Sequence, residues 1–234
     1  MNTHVRRLYD GLKFRAAITP SLHRLHIPEF YRTMHSQSMS ITNQCWSGPG
    51  IRKFHLEVAC VEGTHASNPI RLDIVHSVTF PDPAFDLPIL GIDLVAVNDV
   101  VTMAIADASP TSPAFNLPDG YCVPPKPPGL PREWPEWGRG IFGPDCVLLD
   151  RPEDPSAFVD YALSLALLHF EHVAQASPDE TFMATRAKAQ ARYCLQQRRN
   201  SRTRAVLAKA FGPDLADAYM RDVMFDYPPP HLDQ

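Results

Sequence analysis

The chain has 234 residues, 44% of them hydrophobic and 21% charged, with a formal net charge of −4. This is enough for one domain with a substantial core, and the slight acidity argues against a general polyanion binder. The start MNTHVRRLYDGLKF has no signal-like apolar run and YALSLALLHF is too short to span a bilayer, so a soluble, cytoplasmic protein without a membrane segment is expected.

The first 40 residues are amphipathic and give no clear element. Five runs of strand character follow, ITNQCWS, IRKFHLEVACV, IRLDIVHSVTF, LPILGIDLVAV and DVVTMAIAD, separated by Gly, Pro, Asn and Asp clusters. No ten-residue helical pattern lies between them, which favours a mostly antiparallel sheet over consecutive βαβ units. Prolines gather in 109–135 and 227–231, reading as ordered connections and a tail. A sixth strand is expected around DCVLLD, 145–150. Asp154-Pro155 signals an N-cap and first turn for a helix through His172, and Ser177-Pro178-x-Glu180 repeats that logic as a capping box for a second. A third helix is expected from Asn200 to Gly212-Pro213, and a short fourth over LADAYMRDVMF. A sheet followed by helices is an α+β arrangement in a single domain, 1–234, with helices covering the sheet faces.

Several chemistries can be set aside. The five cysteines, Cys45, Cys60, Cys122, Cys146 and Cys194, are odd in number and lack a C-x-x-C pair, against a disulfide framework, a zinc site or an iron–sulfur cluster. GRGIFG satisfies G-x-G-x-x-G at Gly138, Gly140 and Gly143, but a strand follows it where a dinucleotide fingerprint needs one before. His169 and His172 share a helical face without a visible third ligand and read as helix-surface residues. No G-x-S-x-G elbow is present. Arg186 to Lys209 holds eight Arg or Lys residues and no acid, a candidate anion-facing surface, although no groove-reading motif supports nucleic acid.

What remains is a set of proton carriers on neighbouring strands. In IRKFHLEVACV, His55 and Glu57 leave one face of the strand while Leu56 and Val58 leave the other. His76 lies within DIVHSVTF and Asp93 within LPILGIDLVAV, where apolar neighbours predict burial and therefore a partner or a shifted pKa. If these strands pair, the four groups face one pocket.

IRKFHLEVA, IVHSVTFPDP, LPILGIDLV, AIADASPT, REWPEWG, YCLQQRRNSRTRAVLAKAFG and AYMRDVMFD, in this order, resemble the ferredoxin-dependent bilin reductases, most nearly the phycocyanobilin-forming members, from about Ile41 to Asp226. The resemblance implies a three-layer α/β/α sandwich with a central antiparallel sheet, holding biliverdin IXα between the sheet and the C-terminal helices. It implies no bound cofactor or metal: a 2Fe-2S ferredoxin delivers single electrons, the tetrapyrrole passes through radical states and the protein supplies protons. A heme oxygenase upstream and a monomeric state are also implied. Asp93 becomes the central proton donor, His76 its partner, Glu57 the donor to the D-ring vinyl group and His55 a hydrogen-bonding support. Lys53, Arg132 and Arg202 match basic positions suited to the propionates, Asn200 a pocket asparagine and Trp137 a tryptophan that packs or contacts the substrate. The basic run would also dock an acidic ferredoxin.

One position departs from the pattern. Ser201 stands where phycocyanobilin-forming relatives carry Asp in N-D-K-T-R, an acid linked there to A-ring reduction; a serine hydroxyl is a far weaker acid. Phycocyanobilin is the expected product, with phycoerythrobilin the alternative, and a bilin carrier that does not reduce its ligand is the main rival in another class.

Overall fold

A computed structural model describes residues 1–65, 68–112 and 116–229; the end of the proline tail, 230–234, lies outside the described residues. The amphipathic start is a helix, α1 (Thr3–Ile18), followed by a two-residue strand β1 (His23–Arg24), one helical turn α2 (Glu29–Arg32) and β2 (Thr33–His35). The expected strands are present as β3 (Met39–Gly48), β4 (Ile51–His65), β5 (Asn68–Pro81), β6 (Ile89–Val97), β7 (Val100–Ser109) and β8 (Val147–Leu149). Among the described residues these strands form one antiparallel sheet in the order β1-β3-β4-β5-β6-β7-β8, with β2 also pairing to β3. Asn98 and Asp99, both at positive φ, make the two-residue turn between β6 and β7, as an Asn-Asp pair tolerates.

The helices then follow: α3 (Pro155–Gln175), a 3-10 turn at Glu180–Phe182, α4 (Met183–Gln197), α5 (Ser201–Phe211), α6 (Pro213–Tyr219) and a π turn at Met220–Met224. Asp154 caps α3, accepting from the backbone N–H of Ser156 and Ala157, with Pro155 in the first turn. The second helix departs from the expected capping box. Asp179 accepts from Thr181 N–H and opens the 3-10 turn, so α4 begins only at Met183.

Strand alternation divides the core in two. Phe54 and Leu56 of β4, Val75 of β5 and Ile92 and Leu94 of β6 pack under α1 and α3. Ala59, Val78, Phe80 and Ile89 leave the opposite face and pack under α4, α5, α6 and the π turn. The sandwich is thus α/β/α. Asn2 caps α1, and its own N–H donates to the buried Asp73 of β5 at 2.7 Å, which ties the start of the chain to the sheet.

Two readings of surface residues are corrected by packing. His169 lies on the apolar stripe of α3 and is 0% exposed; burial, with His172 adding to it, lowers its pKa to about 3, so it is a neutral core residue beside Tyr121. Arg186, first of the basic run, is 1% exposed and held by Asp179 and Asp86 beneath the surface.

Candidate active site

The register of four neighbouring strands assembles the site. Asn43 of β3 pairs with Glu57 of β4, Glu57 with His76 of β5, and His76 with Asp93 of β6. The four therefore form a single line across the sheet, on the face covered by α6 and the π turn. In the next line Cys45 pairs with His55, His55 with Val78, Val78 with Gly91 and Gly91 with Asp107. His55, Glu57, His76 and Asp93, separated by up to 38 positions in the sequence, become immediate neighbours because each hairpin returns the chain in register.

Polar contacts lock the line. His76 Nδ1 lies 2.5 Å from Asp93 Oδ1. Tyr219 Oη lies 2.6 Å from Glu57 Oε2 and 2.7 Å from Asn43 Oδ1, and His55 Nε2 lies 2.8 Å from the same Asn43 oxygen. An amide oxygen only accepts, so His55 carries its proton on Nε2 and donates. The Asn43 amide N–H in turn donates to the Tyr31 carbonyl at 2.7 Å. Two buried ring nitrogens in this cluster, His76 Nε2 and His55 Nδ1, have no hydrogen-bond partner among the described residues.

Burial and charge set the protonation. Glu57 is pushed up by burial against the lowering effects of His76 and the Tyr219 hydroxyl, with Asp93 adding to the rise. His76 is pulled down by burial, but the Asp93 charge and hydrogen bond, with Glu57, more than offset this and hold the imidazole above its ordinary value. Burial, reinforced by His76 and Lys53, keeps His55 well below its usual range and neutral. One line thus presents a carboxyl inclined to stay protonated beside an imidazole inclined to stay charged.

The cover over this line is rich in methionine. Tyr219, Met220, Val223, Met224 and Phe225 pack on it, and the Phe225 ring meets the His76 ring edge-on at 5.6 Å. Met34 and Met39 join Met220 and Met224 in the same cluster, whereas the cluster under α1 and α3 contains no methionine. Unbranched thioether side chains repack readily around an apolar partner, and π turns recur at functional sites. Two cavities reach the ends of this face. One of about 580 Å³ touches Asn43 and Cys45, and one of about 380 Å³ touches Ile89, Ser109 and Tyr193.

The remaining expected site residues stand apart from the line. The Lys53 amine is 4% exposed and donates to the carbonyls of Val223 and Met224 and to the Asp226 carboxylate; burial and the neighbouring Arg52 bring its pKa down to about 7. Arg132 sits at the opposite sheet edge, with its N–H donating to Leu148 and its guanidinium 3.9 Å from Asp150. Asn200 caps α5, accepting from Arg202 and Thr203 N–H, while Ser201 and Arg202 are exposed in that first turn. Trp137 packs edge-on against Phe142, which lines the smaller cavity. Sequence reading did not single out Asn43, Tyr219, Asp226 or Asp107. Tyr219 lies inside AYMRDVMFD, but no local signal reveals that its hydroxyl reaches across to β3 and β4. Among the described residues, no group of three His, Cys, Asp or Glu side chains could hold a metal ion, and no helix is long and apolar enough to cross a membrane.

A family model described as ferredoxin-dependent bilin reductase matches residues 12–226, so the kinship extends into α1, upstream of the Ile41 start expected from the motifs. The phycocyanobilin:ferredoxin oxidoreductase of Synechococcus elongatus is 40% identical over 205 residues, spanning 83% of this chain and 79% of that protein. The enzyme of the same name from Synechococcus sp. strain CC9605 is 36% identical over 239 residues, spanning 96% and 93%. Tomato phytochromobilin synthase in complex with biliverdin shares the fold, with a TM-score of 0.73 at 18% identity over 94% of this chain and 82% of that one. With a match from α1 to Asp226 and relatives of this identity along most of their length, the chain belongs to the ferredoxin-dependent bilin reductase family.

Proposed function

We propose that this protein reduces biliverdin IXα to a phytobilin with electrons from reduced ferredoxin, and that phycocyanobilin is the product. The observation that carries the reading is the line Glu57–His76–Asp93, three proton-holding side chains on three successive strands in direct register. Adjacent strands lie about 4.8 Å apart, so the line spans about 10 Å, the scale of neighbouring rings in a linear tetrapyrrole. Each two-electron reduction of a double bond takes up two protons, and a substrate laid along this face meets donors at several of its atoms.

In this reading Asp93 is the central proton donor and His76 its partner, the two sharing protons with the substrate as a coupled pair toward the central rings. Glu57 donates to the D-ring vinyl group, its proton retained by burial. The partnerless His76 Nε2 is available to a substrate polar group. Lys53 exchanges the Asp226 carboxylate for a propionate, like for like, while Arg132 and Arg202 serve the propionates from the periphery. The exposed members of the basic run, Lys188, Arg192, Arg199, Arg202, Arg204 and Lys209, form the surface for an acidic ferredoxin. Ser201 leaves A-ring reduction without the acid found in phycocyanobilin-forming relatives, and water relays that proton.

The test is anaerobic turnover of biliverdin IXα with reduced ferredoxin and chromatographic identification of the product. Phycocyanobilin supports the reading. Phycoerythrobilin would move the first reduction to the C15–C16 bridge, and bound, unchanged biliverdin would make the protein a carrier.

A further inference from the structure

Asp107 is a buried acid that the mechanism above leaves unused. It lies on β7 opposite Gly91 of β6 and is 2% exposed, and Asp93 is the next residue of β6 on the same face. The Ser109 hydroxyl donates to Asp107 Oδ2 in a short contact, and the Gly143 N–H donates to Oδ1 at 3.0 Å. The loop approaches this closely because residue 143 has no side chain: a Cβ there would meet the Ala108 carbonyl oxygen at 2.6 Å. Despite these donors and the Cys146 thiol, burial raises the acid to about 7, with Asp145 adding a further negative charge nearby. Cys146, Tyr121, Tyr161 and Tyr193 around it are themselves pushed up by burial and stay neutral.

Both ends of a path are visible at this acid. Ser109 lines the cavity of about 380 Å³, whose wall also carries Lys188 and Arg192. Tyr193 lines the same cavity, and its Oη stands over Gly91, 3.1 Å from where a Cβ would be. The phenol thus stands over β6 beside the strand that carries Asp107, and both Asp107 and Asp93 act on it electrostatically. Gln197 Nε2 donates to the same oxygen at 2.9 Å, which leaves the phenol's own proton to be given along the sheet face.

Resting on the bilin-reductase reading, we propose that Ser109, Asp107 and Tyr193 form a proton-reload path from the cavity to Asp93. Ser109 passes its hydroxyl proton to the Asp107 carboxylate and regains one from solvent. Asp107 then gives its proton to the Tyr193 oxygen as Tyr193 gives its own to the Asp93 carboxylate. The net change is one proton moved from solvent to Asp93, with each hydroxyl restored. A four-electron reduction consumes four protons, whereas Glu57, His76 and Asp93 store at most three, so the line must be refilled during one turnover.

The experiment has two arms. On the protein without substrate, infrared titration should reveal a protonated carboxyl with a midpoint of about 7 that is missing from Asp107→Asn. In anaerobic turnover, Asp107→Asn and Tyr193→Phe should slow the second reduction at least about tenfold. Small weak acids, with formic acid as the probe at fixed pH and ionic strength, should restore the rate of Asp107→Asn in proportion to their concentration, which a merely structural defect would not allow. A wild type that leaves biliverdin unreduced overturns the bilin reading and the path with it. An active wild type matched in rate by Asp107→Asn, a slowed variant without rescue, or the absence of the infrared band overturns the path alone.

Discussion

Replacing Glu57 by glutamine tests the proton count at the buried end of the catalytic line. Tyr219 has one hydroxyl proton and two neighbours, Asn43 Oδ1 at 2.7 Å and Glu57 Oε2 at 2.6 Å. Asn43 Oδ1 can only accept, so the count closes when Glu57 is a carboxylic acid that donates to Tyr219, which donates to Asn43. Burial pushes the Glu57 pKa in the direction this requires. An unfolded glutamate titrates near 4.3, so above that pH the native chain keeps a proton that the unfolded chain has released. The stability contributed by this group is complete below about 4.3 and falls by about 1.4 kcal/mol per pH unit until the folded pKa is passed. A glutamine amide donates to Tyr219 in the same place and has no such slope. Glu57→Gln should therefore gain on the wild type by about 1.4 kcal/mol per pH unit above pH 4.3, read as the difference between urea denaturation curves at a series of pH values. Parallel curves, or a loss of about 2 kcal/mol at every pH, would mean that Glu57 is ionised and accepts from Tyr219, and the reasoning would fail.

Asp93→Asn removes the charge that helps hold the His76 pKa up, so the imidazole should titrate at lower pH by nitrogen-15 NMR; turnover should stall early, with an open-shell intermediate detectable by electron spin resonance while biliverdin binding is retained. Asp226→Ala leaves the buried Lys53 amine only the Val223 and Met224 carbonyls, and equilibrium denaturation should register a loss of about 2 kcal/mol, less than for a fully buried pair because the Asp226 side chain is 34% exposed. Asp154→Ala takes the cap from α3 and should cost about 1 kcal/mol, a fall of about 3 °C in Tm by calorimetry. Ser201→Asp supplies an acid in the first turn of α5 and should speed A-ring reduction in single-turnover spectra; an unchanged rate would remove residue 201 from that step.

The strands were legible in the sequence because one face of the sheet is covered by α1 and α3 and the alternation in IRKFHLEVACV is strong. The cap at Asp154 and the helix start at Asn200 were equally plain, being local chemistry. The start of α4 was misread because Ser177, Asp179 and Glu180 all offer side chains to the same turn, and only packing decides that Asp179 takes it. His169 looked like a surface residue because it was read as a pair with His172 on one helical face, while its ring meets Tyr121 and Phe170 in the core. The site divides the same way. His55 and Glu57 share a face by strand period alone, but their alignment with His76, Asp93 and Asn43 depends on register across three hairpins. Tyr219 joins them from 162 positions away, a contact no single-sequence pattern encodes.

The central claim is that biliverdin lies on the sheet face along Glu57, His76 and Asp93, beneath Tyr219 and the π turn. A crystal structure of the biliverdin complex tests it most directly. The account predicts pyrrole nitrogens or lactam oxygens within hydrogen-bond reach of Asp93 and His76, a vinyl-bearing ring at Glu57, and Met220, Met224 and Phe225 repacked around the tetrapyrrole. A bilin seated instead in the cavity lined by Lys13, Arg24 and Arg32, with this line still covered by Tyr219 and Phe225, would contradict it.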